Sequence, residues 1–188
     1  MTQALQLLGH CISSARLVPS PNFDERPDGQ DINLLTIHNI SLPPGQFGGS
    51  FIEDFFTNRL NPHDHPYFKT IYHLNVSAHL LVLRDGRLIQ FVPFDKRAWH
   101  AGVSSFRSQS RCNDFSIGIE LEGSDHIDYT EQQYQQLINI TAALMNSYPS
   151  LSVDRICGHE HIAPGRKSDP GPAFDWHYFF HQLKKVSA

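Results

Sequence analysis

The run Ser116–Ile–Gly–Ile–Glu–Leu–Glu122 alternates along its length. In an extended strand, period two sends Ile117, Ile119 and Leu121 to one face and Gly118, Glu120 and Glu122 to the other. A chain carrying this segment has to build a sheet whose apolar face is covered. It also has to find a place for two carboxylates on the opposite face. That place is either solvent or a site. Glu120 follows Gly118 closely and is flanked by Ile119 and Leu121. A carboxyl group emerging from an apolar strand titrates high and can serve as a general base.

Other segments supply the rest of such a sheet. Leu34–Leu–Thr–Ile37 is a short apolar run, by length and content a buried strand, ending at His38–Asn39. The loop Ser41–Leu–Pro–Pro–Gly–Gln–Phe–Gly–Gly49 follows, and then a short helix over Phe51–Phe56, with Ser50 as its cap and Glu53 three residues on. Asp85–Gly86 between the runs 79–84 and 87–92 predicts a β-hairpin with a two-residue turn. Thr130 and Gln133 form a capping box for a helix that Pro149 ends, with Tyr134, Leu137, Ile138, Thr141, Leu144, Met145 and Tyr148 as its buried stripe. Residues 155–158 read as a strand, and 175–185 as a last helix. Strands interleaved with helices, plus one antiparallel hairpin, predict an α/β chain with a mixed central sheet flanked by helices. At 188 residues and 40% hydrophobic, with no repeat or linker, residues 1–188 are expected to form a single domain.

Composition narrows the partners. A net charge of −4 and the absence of a basic run argue against nucleic acid and anionic membranes. No apolar run approaches the ~20 residues of a membrane span. The stretch Met1–His10 lacks the basic and apolar regions of a signal peptide, which gives a cytoplasmic expectation. Three widely spaced cysteines, Cys11, Cys112 and Cys157, read as reduced thiols. There is no GxSxG elbow, HExxH helix or phosphate-binding loop.

The densest chemistry lies in Cys157–Gly–His–Glu–His–Ile–Ala–Pro–Gly–Arg–Lys–Ser–Asp169. Pro164, Gly165, Pro170, Gly171 and Pro172 exclude a regular helix over this segment and predict a shaped loop. His and Asp side chains suit Zn²⁺, and three such ligands leave a fourth position open, the catalytic arrangement. His159 and Asp169 are candidates, and His38 joins them because it too directly follows an apolar strand. His161 competes with His159, since in an extended segment both share a face; Gly158, which permits close backbone approach, favours His159. Lys167 could hold a developing oxyanion or simply cover the loop. The pair His63 and His65 sits in a polar stretch that reads as a surface turn.

Five separated blocks carry a resemblance. They are Leu35–Gly49, Val76–Ser–Ala–His79, Ala98–Trp–His–Ala–Gly–Val–Ser104, Arg111–Gly123 and Gly158–Trp176. In content and order they resemble the AmpD-type N-acetylmuramoyl-L-alanine amidases, over nearly the whole chain. The resemblance implies the zinc amidase fold shared with phage T7 lysozyme and the peptidoglycan-recognition proteins. It implies Zn²⁺ as cofactor with His38, His159 and Asp169 as ligands, so that His161 drops out. It further implies Glu120 as general base, Lys167 as oxyanion stabiliser, Asn39 and Arg111 as substrate grips, and Trp99 and His100 as cleft lining. The substrate implied is a cytoplasmic anhydromuropeptide. Asn75 stands where the family pattern leads one to expect arginine, which implies a different hold on the stem peptide. Rival expectations are an amidase of intact peptidoglycan, a non-catalytic muropeptide-binding module, and a structural zinc protein, which would want four closed ligands.

Overall fold

A computed structural model describes residues 5–186, so the first four residues of the amino-terminal stretch lie outside it. A six-stranded mixed sheet forms the centre. Its strands are β1 (Arg16–Leu17), β2 (Leu34–Ile40), β3 (Leu80–Val82), β4 (Leu88–Gln90), β5 (Ser116–Glu122) and β6 (Ile156–Gly158), in the spatial order β6-β2-β5-β3-β4-β1. Only the β3–β4 hairpin pairs antiparallel; the other four pairings are parallel. Among the described residues, no helix is long and apolar enough to cross a membrane.

The period-two pattern sorts the two faces. Leu35, Ile37, Ile117, Ile119, Leu121, Leu80, Val82 and Ile156 pack into one buried cluster. Helices α3 (Glu131–Ser147) and α5 (Trp176–Val186) cover it through Leu137, Ile138, Ile140, Leu144, Phe179 and Leu183. The opposite face carries Leu81 and Ile89. There the short helices α1 (Phe51–Phe56) and α2 (Phe68–Ile71) contribute Ile52, Phe55, Phe56 and Phe68.

The predicted capping box of α3 is complete: the Thr130 hydroxyl accepts from Gln133 N, and Gln133 Oε1 accepts from Thr130 N. Such a cap stabilises by about 1 kcal/mol. Leu137, Ile140 and Leu144 are each fully buried, and each contributes about 1.5–3 kcal/mol. The cap therefore sets where the helix starts, and packing decides that it forms. Gln133 also reaches out of the helix, its Nε2 donating to Val82 O and Glu122 O at the ends of β3 and β5.

Three local expectations are corrected. The hairpin loop holds three residues, not two. Gly86 N donates to Leu83 O, Leu83 N donates to Arg87 O, and only Gly86 takes a positive φ, of 83°. A two-residue turn of the Asp-Gly type needs positive φ at both positions, and Asp85 does not have it. Ser50 sits at the N-cap of α1, but its hydroxyl donates to Asp54 Oδ2 rather than capping the backbone. Finally, His159–Ile162 forms one helical turn, α4, before the predicted loop begins. Prolines and glycines exclude helix only from residue 164 onward.

Candidate metal centre and active site

Strand register brings the site together. Glu120 on β5 pairs directly with His38 on β2, and Gly158 on β6 pairs with Ile37. His159 therefore emerges one step beyond β6, level with His38. The loop after α4 returns to bring Asp169 against both. His38 Nδ1 lies 2.9 Å from Asp169 Oδ2 and 3.0 Å from His159 Nδ1, and His159 Nδ1 lies 3.0 Å from Asp169 Oδ2. Both histidines are buried and Asp169 is half-buried. His161 is turned away by the helical geometry of α4; its exposed ring accepts from Gly158 N. His63 and His65 lie in a surface turn, outside this group.

The electrostatics suit a cation. Burial pushes His38 down to about 4, against an opposing hydrogen bond to Asp169. A neutral imidazole is the form that ligates metal. Burial also opposes ionisation of Asp169, but the contacts that His159 and His38 make with it in their protonated forms outweigh burial and hold the carboxyl below the usual carboxylate range; a bound cation would fill that role when both rings are neutral. His159 Nε2 finds the Ala101 carbonyl at 3.1 Å, and His38 Nε2 finds His100 Nδ1 at 2.9 Å. A carbonyl only accepts, so neutral His159 carries its one N–H on Nε2 and turns a lone pair on Nδ1 toward Asp169. Two nitrogens and one carboxylate oxygen at 2.9–3.0 Å from one another are a fitting donor set for a divalent ion.

Glu120 lies beside this group in a cleft of about 530 Å³. Its Oε2 is buried with no hydrogen-bond partner among the described residues. Burial, and secondarily the charge of Asp169, raises its pKa well above the ordinary value, with Lys167 opposing. Lys167 is exposed and lines the cleft; its backbone N–H is tied to Ala163 O, which fixes the stem of the side chain.

Asn39, Trp99 and His100 line the same cleft. Asn39 Nδ2 is committed to Asp125 Oδ1 and Pro170 O, so it braces the loop next to Asp169. Trp99 Nε1 donates to Asp24 Oδ1. Arg111 is not brought to the cleft: its side chain is 69% exposed and pairs with Asp114. Asn75 is exposed and likewise does not line it. The lining residues that escaped the sequence reading include two titratable ones, Asp125 and His126. They occupy the turn directly after β5, and the carboxyl ends of parallel strands are where sites form. That was the signal available for them. The thiols take no part: burial raises Cys157 to about 12 and also raises Cys112.

The N-acetylmuramoyl-L-alanine amidase family model matches residues 28–172. The chain belongs to this family. The amidase is 58% identical over 168 residues to the 1,6-anhydro-N-acetylmuramyl-L-alanine amidase AmpD of Citrobacter freundii, covering 89% of each chain. A crystal structure of a selenomethionine AmpD derivative superposes with a TM-score of 0.92 at 56% identity, covering 95% of the amidase and 99% of that chain. The amidase AmiD of E. coli, solved with its substrate anhydro-N-acetylmuramic acid-L-Ala-D-gamma-Glu-L-Lys, matches at a TM-score of 0.59 and 28% identity, covering 86% of the amidase and 65% of that chain. The mixed sheet flanked by helices is thus the zinc amidase fold that the resemblance implied.

Proposed function

We propose that this amidase hydrolyses the amide joining the lactyl group of 1,6-anhydro-N-acetylmuramic acid to L-alanine of the stem peptide, with Zn²⁺ held by His38, His159 and Asp169. The observation that carries the reading is the unpartnered Glu120 Oε2 beside three converging lone-pair donors. AmpD and the AmiD complex supply the substrate class by likeness. Cell-wall recycling in the cytoplasm is the setting that goes with it.

Zinc in this position supplies Lewis acidity toward the scissile carbonyl and lowers the pKa of water. Glu120, its pKa raised by burial, takes a proton from the attacking water and returns it to the departing alanine nitrogen. The Lys167 ammonium faces the oxygen on which negative charge develops. Asn39 and Trp99 bound the reacting amide. Arg111, with its guanidinium largely exposed and one ion pair made, is left to meet a carboxylate at the far end of the stem peptide.

The test is to incubate purified protein with anhydromuramyl-tripeptide, with and without a chelator, and to follow the products by mass spectrometry. Free tripeptide is expected. It should disappear with chelator and return with added Zn²⁺. No cleavage at full zinc loading would sink the reading.

A further inference from the structure

We propose that Ser116 and His100 form a hydrogen-bond relay that fixes the tautomer of His38 and so presents its Nδ1 lone pair to the metal. The proposal rests on the metal-site reading above and gives His100 a role beyond lining the cleft: it is a positioning residue, acting through His38.

Ser116 has only one way to place its hydroxyl hydrogen. Ser116 Oγ lies 2.6 Å from Cys112 O and 3.0 Å from His100 Nε2. A carbonyl oxygen can only accept, so the one hydroxyl hydrogen of Ser116 goes to Cys112. Ser116 Oγ must then accept, and its donor is His100 Nε2–H. His100 has no carboxylate partner among the described residues; its ring neighbours are His38 and His79, with centroids at 5.0 and 5.7 Å. As a neutral imidazole it has a single N–H, already used. Its Nδ1 therefore offers a lone pair to His38 Nε2, 2.9 Å away, and His38 must donate there. That leaves His38 Nδ1 unprotonated at the point where Asp169 and His159 converge.

Reversing the relay has a specific consequence. If His100 donated from Nδ1, His38 would carry its proton on Nδ1, 2.9 Å from Asp169 Oδ2. The resulting hydrogen bond would occupy the atoms that should hold the cation. Ser116 decides between these two arrangements while hydrogen-bonding to none of the three ligands. The ring of His100 is also held in place by an absence: a Cβ on Gly118 would come within 2.4–2.7 Å of it. Gly118 is what allows the His100 ring to approach β5 this closely and reach both partners. His159 needs no such device, because its Nε2 meets the Ala101 carbonyl directly.

The experiment has two readouts on full-length protein. One is Zn²⁺ affinity by competition with a chromogenic chelator. The other is the protonation pattern of His38 nitrogens in the metal-free protein, by ¹⁵N NMR. Wild type should carry the His38 proton on Nε2. His100→Leu should weaken zinc binding by about 10–100-fold, the usual effect of removing an outer partner of a ligand. Ser116→Ala should give mixed His38 tautomers and a smaller loss. His100→Asn, whose amide oxygen takes the Nδ1 position, should restore most of the affinity, which a merely space-filling role does not explain. Should the leucine variant fail to fold, the Ser116→Ala and His100→Asn pair decides. A wild-type His38 protonated on Nδ1, or unchanged affinity and tautomer in Ser116→Ala and the His100 variants, would overturn the relay. Wild-type protein that binds no zinc would overturn the metal-site reading instead, and the NMR readout would still test the relay.

Discussion

Glu120 and Glu122 are the same residue on the same face of the same strand, and they have opposite fates. Both are buried, at 8% and 3% exposure. Glu122 has both oxygens engaged: Oε1 accepts from Gly48 N and Oε2 from Arg84 N. Those donors belong to the loop before α1 and to the β3–β4 hairpin turn, so Glu122 pins two loops to the end of the sheet. Glu120 has an oxygen that nothing among the described residues satisfies. A buried carboxylate that receives backbone amides is structure; one left without them is under pressure to find a proton. The difference shows that strand alternation makes a carboxylate available, and that the covering loops decide whether it is spent on stability or left for chemistry.

Removing each carboxylate in turn is the strongest way to break this comparison. Glu120→Ala should lower turnover by roughly 10²–10⁴-fold, the range of a general base, while zinc content holds and thermal stability does not fall. Wild-type turnover, or loss of the metal, would end the assignment. Glu122→Ala should do the reverse. The amides of exposed Gly48 and half-buried Arg84 lose their acceptor; at about 0.5–1.5 kcal/mol net for each hydrogen bond, unfolding in urea should show about 1–3 kcal/mol less stability. An unchanged midpoint would mean that the loops hold without it.

The sequence made a good part of this visible, and its blind spots have a common cause. Alternation separated Ile117, Ile119 and Leu121 from Gly118, Glu120 and Glu122, because period two is a local property of an extended backbone. The capping box at Thr130 and Gln133 is equally local. The fate of Glu122 was not readable, since its partners lie 74 and 38 residues away. The same holds for His100, whose partners on β2 and β5 meet it only in the fold. His159 looked like a residue of an extended segment because the breakers that follow it say nothing about the four residues before them. Position after an apolar strand nominated His38 and His159, with Asp169 across the loop, and the family resemblance removed His161; that the three meet at one point depends on the parallel register of β6, β2 and β5, which no local pattern encodes.

The smallest and most discriminating difference between the two carboxylates should be in pH dependence. Glu120 has a folded pKa raised well above its ordinary value by burial. The folded chain then keeps a proton that the unfolded chain loses near pH 4.3. Where the folded state binds more protons, stability falls as pH rises. Glu120 therefore subtracts stability from the metal-free protein above about pH 4 and nothing below it. Glu120→Gln is neutral throughout and should be more stable than wild type at neutral pH, with the gap closing as pH falls toward 4. Groups common to both proteins cancel in that difference. Glu122→Gln should show no such gain, because an amide has one oxygen where the carboxylate offers two and cannot serve both Gly48 N and Arg84 N. Thermal midpoints of the three metal-free proteins at pH 7 and pH 4 make the check. A stabilised Glu122→Gln, or a Glu120→Gln curve parallel to wild type, would show that the two positions are alike after all.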